Sequence, residues 1–119
     1  MKNTTIIVNE DTPAYGAWLA ACQEMCRTYM ATHYPRLPGE VLQPMVGSRY
    51  IKIVRRSVEF NPATGRPNQS SAWAFIDRSN GDVLKAASWA APAKVARGNL
   101  FDEKGGMGSM SNSGPAYLR

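Results

Sequence analysis

Three cations stand close together in the stretch from Asp77 to Asn99, with no acid between them: Lys85, Lys94 and Arg97. Small residues surround them, namely Ala86, Ala87, Ala90, Ala91, Ala93, Ala96 and Gly98. Small neighbours let a ligand approach the backbone, and clustered cations suit phosphate oxygens. Trp89 lies between the cations, and Phe75 borders the turn that leads into them. The stretch reads as a binding site for a compact anion, with Phe75, Lys85, Trp89, Lys94, Arg97 and Asn99 as its candidate residues. Each also has a purely structural reading. Trp89 can pack under its own loop, and Phe75 shares strand parity with Trp73 and can fill the core with it. Arg97 can pair with Asp77, Asp82 or Asp102.

A second set is carried by Arg49, Lys52, Arg55 and Arg56, with Trp73 and Phe75 on the neighbouring strand. Aromatic rings on a sheet with basic neighbours stack bases and hold phosphates, as in single-strand binders. Here Asp77, Asp82, Asp102 and Glu103 interrupt the basic surface. That interruption favours a compact anionic ligand over a long nucleic acid.

Catalysis finds no motif. Ser88 has no histidine near it, because His33, the single histidine, sits at the end of another element. A Cys22–His33 pair lacks supporting sequence around it. Gly105-Gly106-Met107-Gly108 is not followed by the Lys-Ser/Thr of a phosphate-binding loop. The chain therefore reads as a binding protein, not an enzyme, with no cofactor. Cys22 and Cys26 are four apart and share a helix face, a geometry unsuited to an intrahelical disulfide. Two cysteines alone do not complete a metal site, so they read as buried, reduced thiols with no metal.

The elements that must position these groups follow from periodicity. Thr4–Val8 is rich in β-formers and reads as a short strand. Asp11 or Thr12 caps a helix that Pro13 opens, running to about Thr32. Tyr15, Trp18, Leu19, Cys22, Met25, Cys26, Tyr29 and Met30 recur at helical spacing. Pro35 and Pro38 stop the helix, and Gly39–Pro44 reads as a connector. From Val46 the period is two: Tyr50, Lys52, Val54, Arg56, Val58 and Phe60 point one way, with Ile51, Ile53, Arg55, Ser57 and Glu59 opposite. Asn61–Asn68 is a hairpin loop, Ser70–Ile76 a second strand, and Asp82–Ala87 a third after the turn at Ser79–Asp82. Pro92–Arg97 reads as one or two helical turns ended by Gly98. A Gly/Ser-rich tail follows Asp102, and Tyr117-Leu118 at its end reads equally as a docking anchor or as disordered chain. The fold class expected is α+β: one long N-terminal helix packed on a three- to four-stranded antiparallel sheet.

At 119 residues, 44% hydrophobic and 19% charged, the chain fits one folded domain, residues 1–119. Its net charge of +5 permits an anionic partner. Ile6–Val8 is too short for a signal peptide, and no segment has membrane-spanning length. The wide apolar helix face exceeds what so small a sheet covers, so a homo-oligomer is expected.

The string Gly81-Asp82-Val83-Leu84-Lys85-Ala86-Ala87-Ser88-Trp89, with Ala91-Pro92-Ala93-Lys94, Ala96-Arg97-Gly98-Asn99 and the closing Gly114-Pro115-Ala116-Tyr117-Leu118-Arg119, resembles a family of small phage and prophage proteins without assigned function. The size, the long N-terminal helix and the strand-turn-strand around Phe75 are also similar to the phage anti-Thoeris sponges. Those proteins sequester cyclic ADP-ribose signals, and some of them cyclic oligonucleotides, without cleaving them. The resemblance implies an oligomeric, non-catalytic trap for a cyclic nucleotide in the cytoplasm of an infected bacterial host. A single-stranded nucleic-acid binder and a small phage structural or assembly protein are the alternatives.

Overall fold

The computed structural model describes residues 5–116. Its frame is a five-stranded antiparallel sheet with β-strands in the order β1-β2-β5-β6-β7. These are Glu40–Val46 (β1), Tyr50–Ser57 (β2), Ser70–Asp77 (β5), Asp82–Ala86 (β6) and Pro92–Asn99 (β7). Two small hairpins complete it: Phe60–Asn61 with Arg66–Pro67 (β3, β4), and Met110–Ser111 with Gly114–Pro115 (β8, β9). The one helix among the described residues, α1, spans Pro13–His33. No helix among the described residues is long and apolar enough to cross a membrane.

The described residues are mostly β, 39% strand against 19% helix, and this corrects the expected α+β class with its three- to four-stranded sheet. Three segments account for the difference. Glu40–Val46 is a strand, not a connector. Its Pro44 is tolerated because β1 is an edge strand, where a missing N–H breaks no ladder. Pro92–Asn99 is the opposite edge strand, not a helical turn. Its alanines favour helix locally, but pairing with β6 overrides that preference, and Pro92 takes the first strand position. The tail is ordered through Ala116: Leu100 donates to Gly81, and the Asp102 carboxylate accepts from the amides of Asn99, Lys104 and Gly106. Those amide bonds, led by Gly106, hold the Asp102 carboxyl below its ordinary pKa. Residues 5–8 form no strand, though Ile7 and Val8 donate to the Arg78 carbonyl. Thr4 and the terminal Tyr117-Leu118-Arg119 lie outside the described residues.

Helix α1 lies on one face of the sheet. Its buried Tyr15, Trp18, Cys22 and Cys26 pack with Leu42, Ile51, Ile53, Ala74, Ile76, Val83 and Leu100. Gln23 reaches β1 from the side: its amide donates to the Leu42 carbonyl at 2.8 Å and accepts from the Leu42 N–H at 3.2 Å. From the other direction Met107 and Met110 pack against this core. The tail is thus a strap laid along the helix, and it covers apolar surface that the sheet leaves.

A β-bulge decides what each face carries. Ile53 pairs with Ala74, but Val54 pairs with Ala72, so Trp73 is the extra residue. Trp73 turns toward the helix, 6.3 Å from Trp18, and its indole N–H donates to the Asn112 carbonyl at 3.0 Å. Phe75 faces away, edge-on to Tyr50 at 6.1 Å. Simple alternation places the two aromatics together; the bulge separates them.

Candidate functional site

The face without a helix is built from the alternate residues of β2: Tyr50, Lys52, Val54 and Arg56. Val54, Phe75 and Leu84 form a thin buried layer there. Above it run three cation–aromatic pairs. The Arg49 guanidinium lies 5.2 Å from the Tyr50 ring centre, the Lys52 ammonium 3.8 Å from that of Trp89, and the Arg56 guanidinium 5.4 Å from that of Phe60. Each pair joins a positive charge to a ring face. Trp89 and Phe60 remain half-exposed.

Trp89 arrives from the loop between β6 and β7. Ala87 and Ser88 both donate to the Ala91 carbonyl, and the Ser88 hydroxyl accepts from Ala90. These bonds tighten the loop and carry the indole across the sheet to Lys52. Arg56 is oriented by the Gln43 side chain, which accepts from its Nε at 2.6 Å, and by the Ser57 carbonyl at 3.1 Å. At the far end Arg49 pairs with Asp77 at 3.2 Å. Burial would raise the Asp77 pKa, but hydrogen bonds from the Ser79 hydroxyl and amide and from Arg49 outweigh it, and the carboxyl is held below its ordinary value. The same contact raises Arg49. Between these groups lies a cleft of about 460 Å³, lined by Met45, Arg49, Tyr50, Lys52, Phe75 and Ala90 among others.

The ten residues singled out from sequence divide among several places. Phe75 and Trp89 lie on this face, with Lys52 and Arg56; Arg49 stands at its end. Lys85 points to the helix side, where its ammonium donates to the Pro115 carbonyl at 2.9 Å. Arg97 donates to the carbonyls of Ala116 and Val95. Lys85 and Arg97 therefore both grip the chain at the β8–β9 hairpin. Lys94 is exposed on β7. Asn99 fastens the β5–β6 turn by donating to the Asn80 carbonyl and the Asp82 carboxylate. The six residues of the first set do not meet in one cavity. Arg55 lies on the helix side, beside Cys26, and lines a polar hollow of about 450 Å³ with Glu40, Asn68, Gln69, Ser70 and Ser71.

Tyr50, Phe60, Gln43 and Met45 belong to the face and were not singled out. The signal for two of them is in the strand pattern: Tyr50 and Phe60 share parity with Lys52 and Arg56. Gln43 and Met45 gave none, because their segment does not read as strand.

The chain belongs to DUF7717, a family of unknown function, whose model matches residues 23–116. The match takes in the whole sheet, the Trp89 loop and the strap. No curated protein and no solved structure matches the chain.

Proposed function

We propose that this protein binds single-stranded nucleic acid, without cleaving it, on the helix-free face of its sheet. The observation that carries this reading is the row of three cation–aromatic pairs along β2. Lys52, Arg56 and Arg49 would neutralise phosphates, and Trp89, Phe60 and Tyr50 offer ring faces to bases. Base–aromatic stacking contributes about 1–3 kcal/mol per base and tolerates any sequence. From Tyr50 to Arg56 the strand runs roughly 20 Å, room for a few nucleotides. The net charge of +5 acts in the same direction.

A second reading has its own support. The cleft of about 460 Å³ beside Arg49, Lys52 and Phe75 has the size of a small-ligand pocket. A phosphorylated cyclic nucleotide would suit it, as the resemblance to anti-Thoeris sponges in an infected host implies. Against that reading, Lys85 and Arg97 are occupied by main-chain carbonyls.

Titration of a labelled oligothymidylate, alongside calorimetry with a cyclic-nucleotide panel, separates the two. Trp18 and Trp73 are buried and Trp89 is half-exposed, so quenching of tryptophan emission reports this face directly. Oligonucleotide binding that weakens steeply with salt and is lost in Lys52→Ala/Arg56→Ala is expected. Heat with a cyclic nucleotide and none with the oligonucleotide would transfer the site to the second reading. No response to either removes both.

A further inference from the structure

We propose that Cys22 and Cys26 of α1, together with Met107 and Met110 of the strap, form a binding site for monovalent copper. Cys22 and Cys26 are one helical turn apart and both point under the strap; Cys22 is wholly buried and Cys26 is 7% exposed. The strap runs past them in matching order. The Cys22 Sγ lies 3.8 Å from the Met107 Sδ, and the Cys26 Sγ contacts the Asn112 carbonyl at 3.9 Å. Met110 lies between these two points in the chain and packs on the same cluster. Sulfurs held about 2.3 Å from a central metal in a tetrahedron stand about 3.8 Å apart, so the Cys22–Met107 pair already has the required edge. Met107 and Met110 are only partly buried, which leaves a route for an ion from the strap side.

The donor set selects the ion. Thiolate and thioether sulfurs are soft ligands that favour Cu(I) over hard or borderline cations. Among the described residues no three His, Cys, Asp or Glu cluster together, so a site here would depend on the methionine sulfurs. Binding replaces two thiol protons: Cu⁺ and two S–H groups give a bis-thiolate copper unit of charge −1 and release two H⁺. That charge has a partner in place. The Arg55 guanidinium acts on Cys26, and its Nη2 is buried without a hydrogen-bond acceptor. An anionic copper–thiolate cluster would lie beside this half-buried cation and be partly offset by it. The strap explains the advantage. Hydrogen bonds from Trp73, Lys85 and Arg97 already hold the strap, and an ion bridging it to α1 would add a further clip.

The test titrates the reduced protein, without oxygen, with Cu(I) supplied as its acetonitrile complex and bicinchoninate as competitor. One equivalent of copper retained against the chelator is expected, with two protons released per ion and an ultraviolet thiolate-to-copper band. Met107→Leu conserves volume and should fold; its affinity should fall at least tenfold. Arg55→Gln should weaken binding while leaving the stoichiometry at one. Cys22→Ser should abolish it, and if that variant fails to fold the two others still decide. Complete loss of copper to the chelator overturns the proposal. So does a Met107→Leu/Met110→Leu double variant that binds as tightly as the parent, because the thiols would then act without the strap.

Discussion

The two faces of the sheet are fed by the same strands and differ in how they are closed. The helix side takes Ile51, Ile53, Ala74, Ile76 and Val83 from alternate strand positions and seals them under Trp18, Cys22 and the strap. The other side takes Val54, Phe75 and Leu84, seals only those, and finishes in paired cations and rings. The closed face has satisfied its apolar surface within the chain. The open face holds its charges with ring faces, a few hydrogen bonds and the Arg49–Asp77 ion pair. The sheet is two-sided in burial but one-sided in cover.

That division is breakable by measurement. The largest effect belongs to the closed side: Trp18→Ala should cost about 3–5 kcal/mol, the usual loss for a buried indole, read from the urea midpoint. A loss under about 1 kcal/mol would mean that the helix is not the principal cover. Trp89→Ala, on the open side, should weaken oligonucleotide binding by about 1–3 kcal/mol with the urea midpoint nearly unchanged. Equal damage to stability and binding would erase the contrast. Arg97→Ala should destabilise by about 1 kcal/mol, since it loses hydrogen bonds to Ala116 and Val95, and should leave affinity untouched; a binding defect in a fully stable variant would return Arg97 to a ligand site. The smallest effect is in acid. Asp77 has a folded pKa below its ordinary value, so its contribution is present above that ordinary value, near 3.8. It is lost as the pH falls through the depressed folded pKa. Asp77→Asn should flatten the acid limb of stability against pH, and an unchanged limb would show that Asp77 does not set it.

Much of this contrast could be read from residue order. Helix α1 follows from the spacing of Tyr15, Trp18, Cys22 and Cys26 and from Pro13 at its start. Strands β2, β5 and β6 follow from period two and from Asn80-Gly81, where a φ of +84° suits glycine. What hid the edges was local chemistry with the opposite meaning in context. Pro44 and Pro92 mark breaks in a central strand but are harmless at a margin. The alanines of β7 favour helix until β6 offers a ladder. The bulge at Trp73 is invisible to parity counting, so it concealed which ring belongs to the core. Lys85 and Arg97 looked free because their acceptors, the carbonyls of Pro115 and Ala116, lie about twenty to thirty residues along the chain in a segment that reads as loose. The Lys52–Trp89 contact needed the loop's fold-over, which no periodicity encodes.

The Gln23 amide that grasps both peptide groups of Leu42 has a consequence for how copies of this chain meet. An outer strand with idle N–H and C=O groups is a template on which another molecule's strand can grow. Gln23 occupies that template on β1 as a one-residue imitation of a neighbouring strand, and Pro44 removes a donor further along. The opposite margin is broken by register shifts on either side of Leu84. With both ends of the sheet dressed in this way, growth by strand addition is disfavoured.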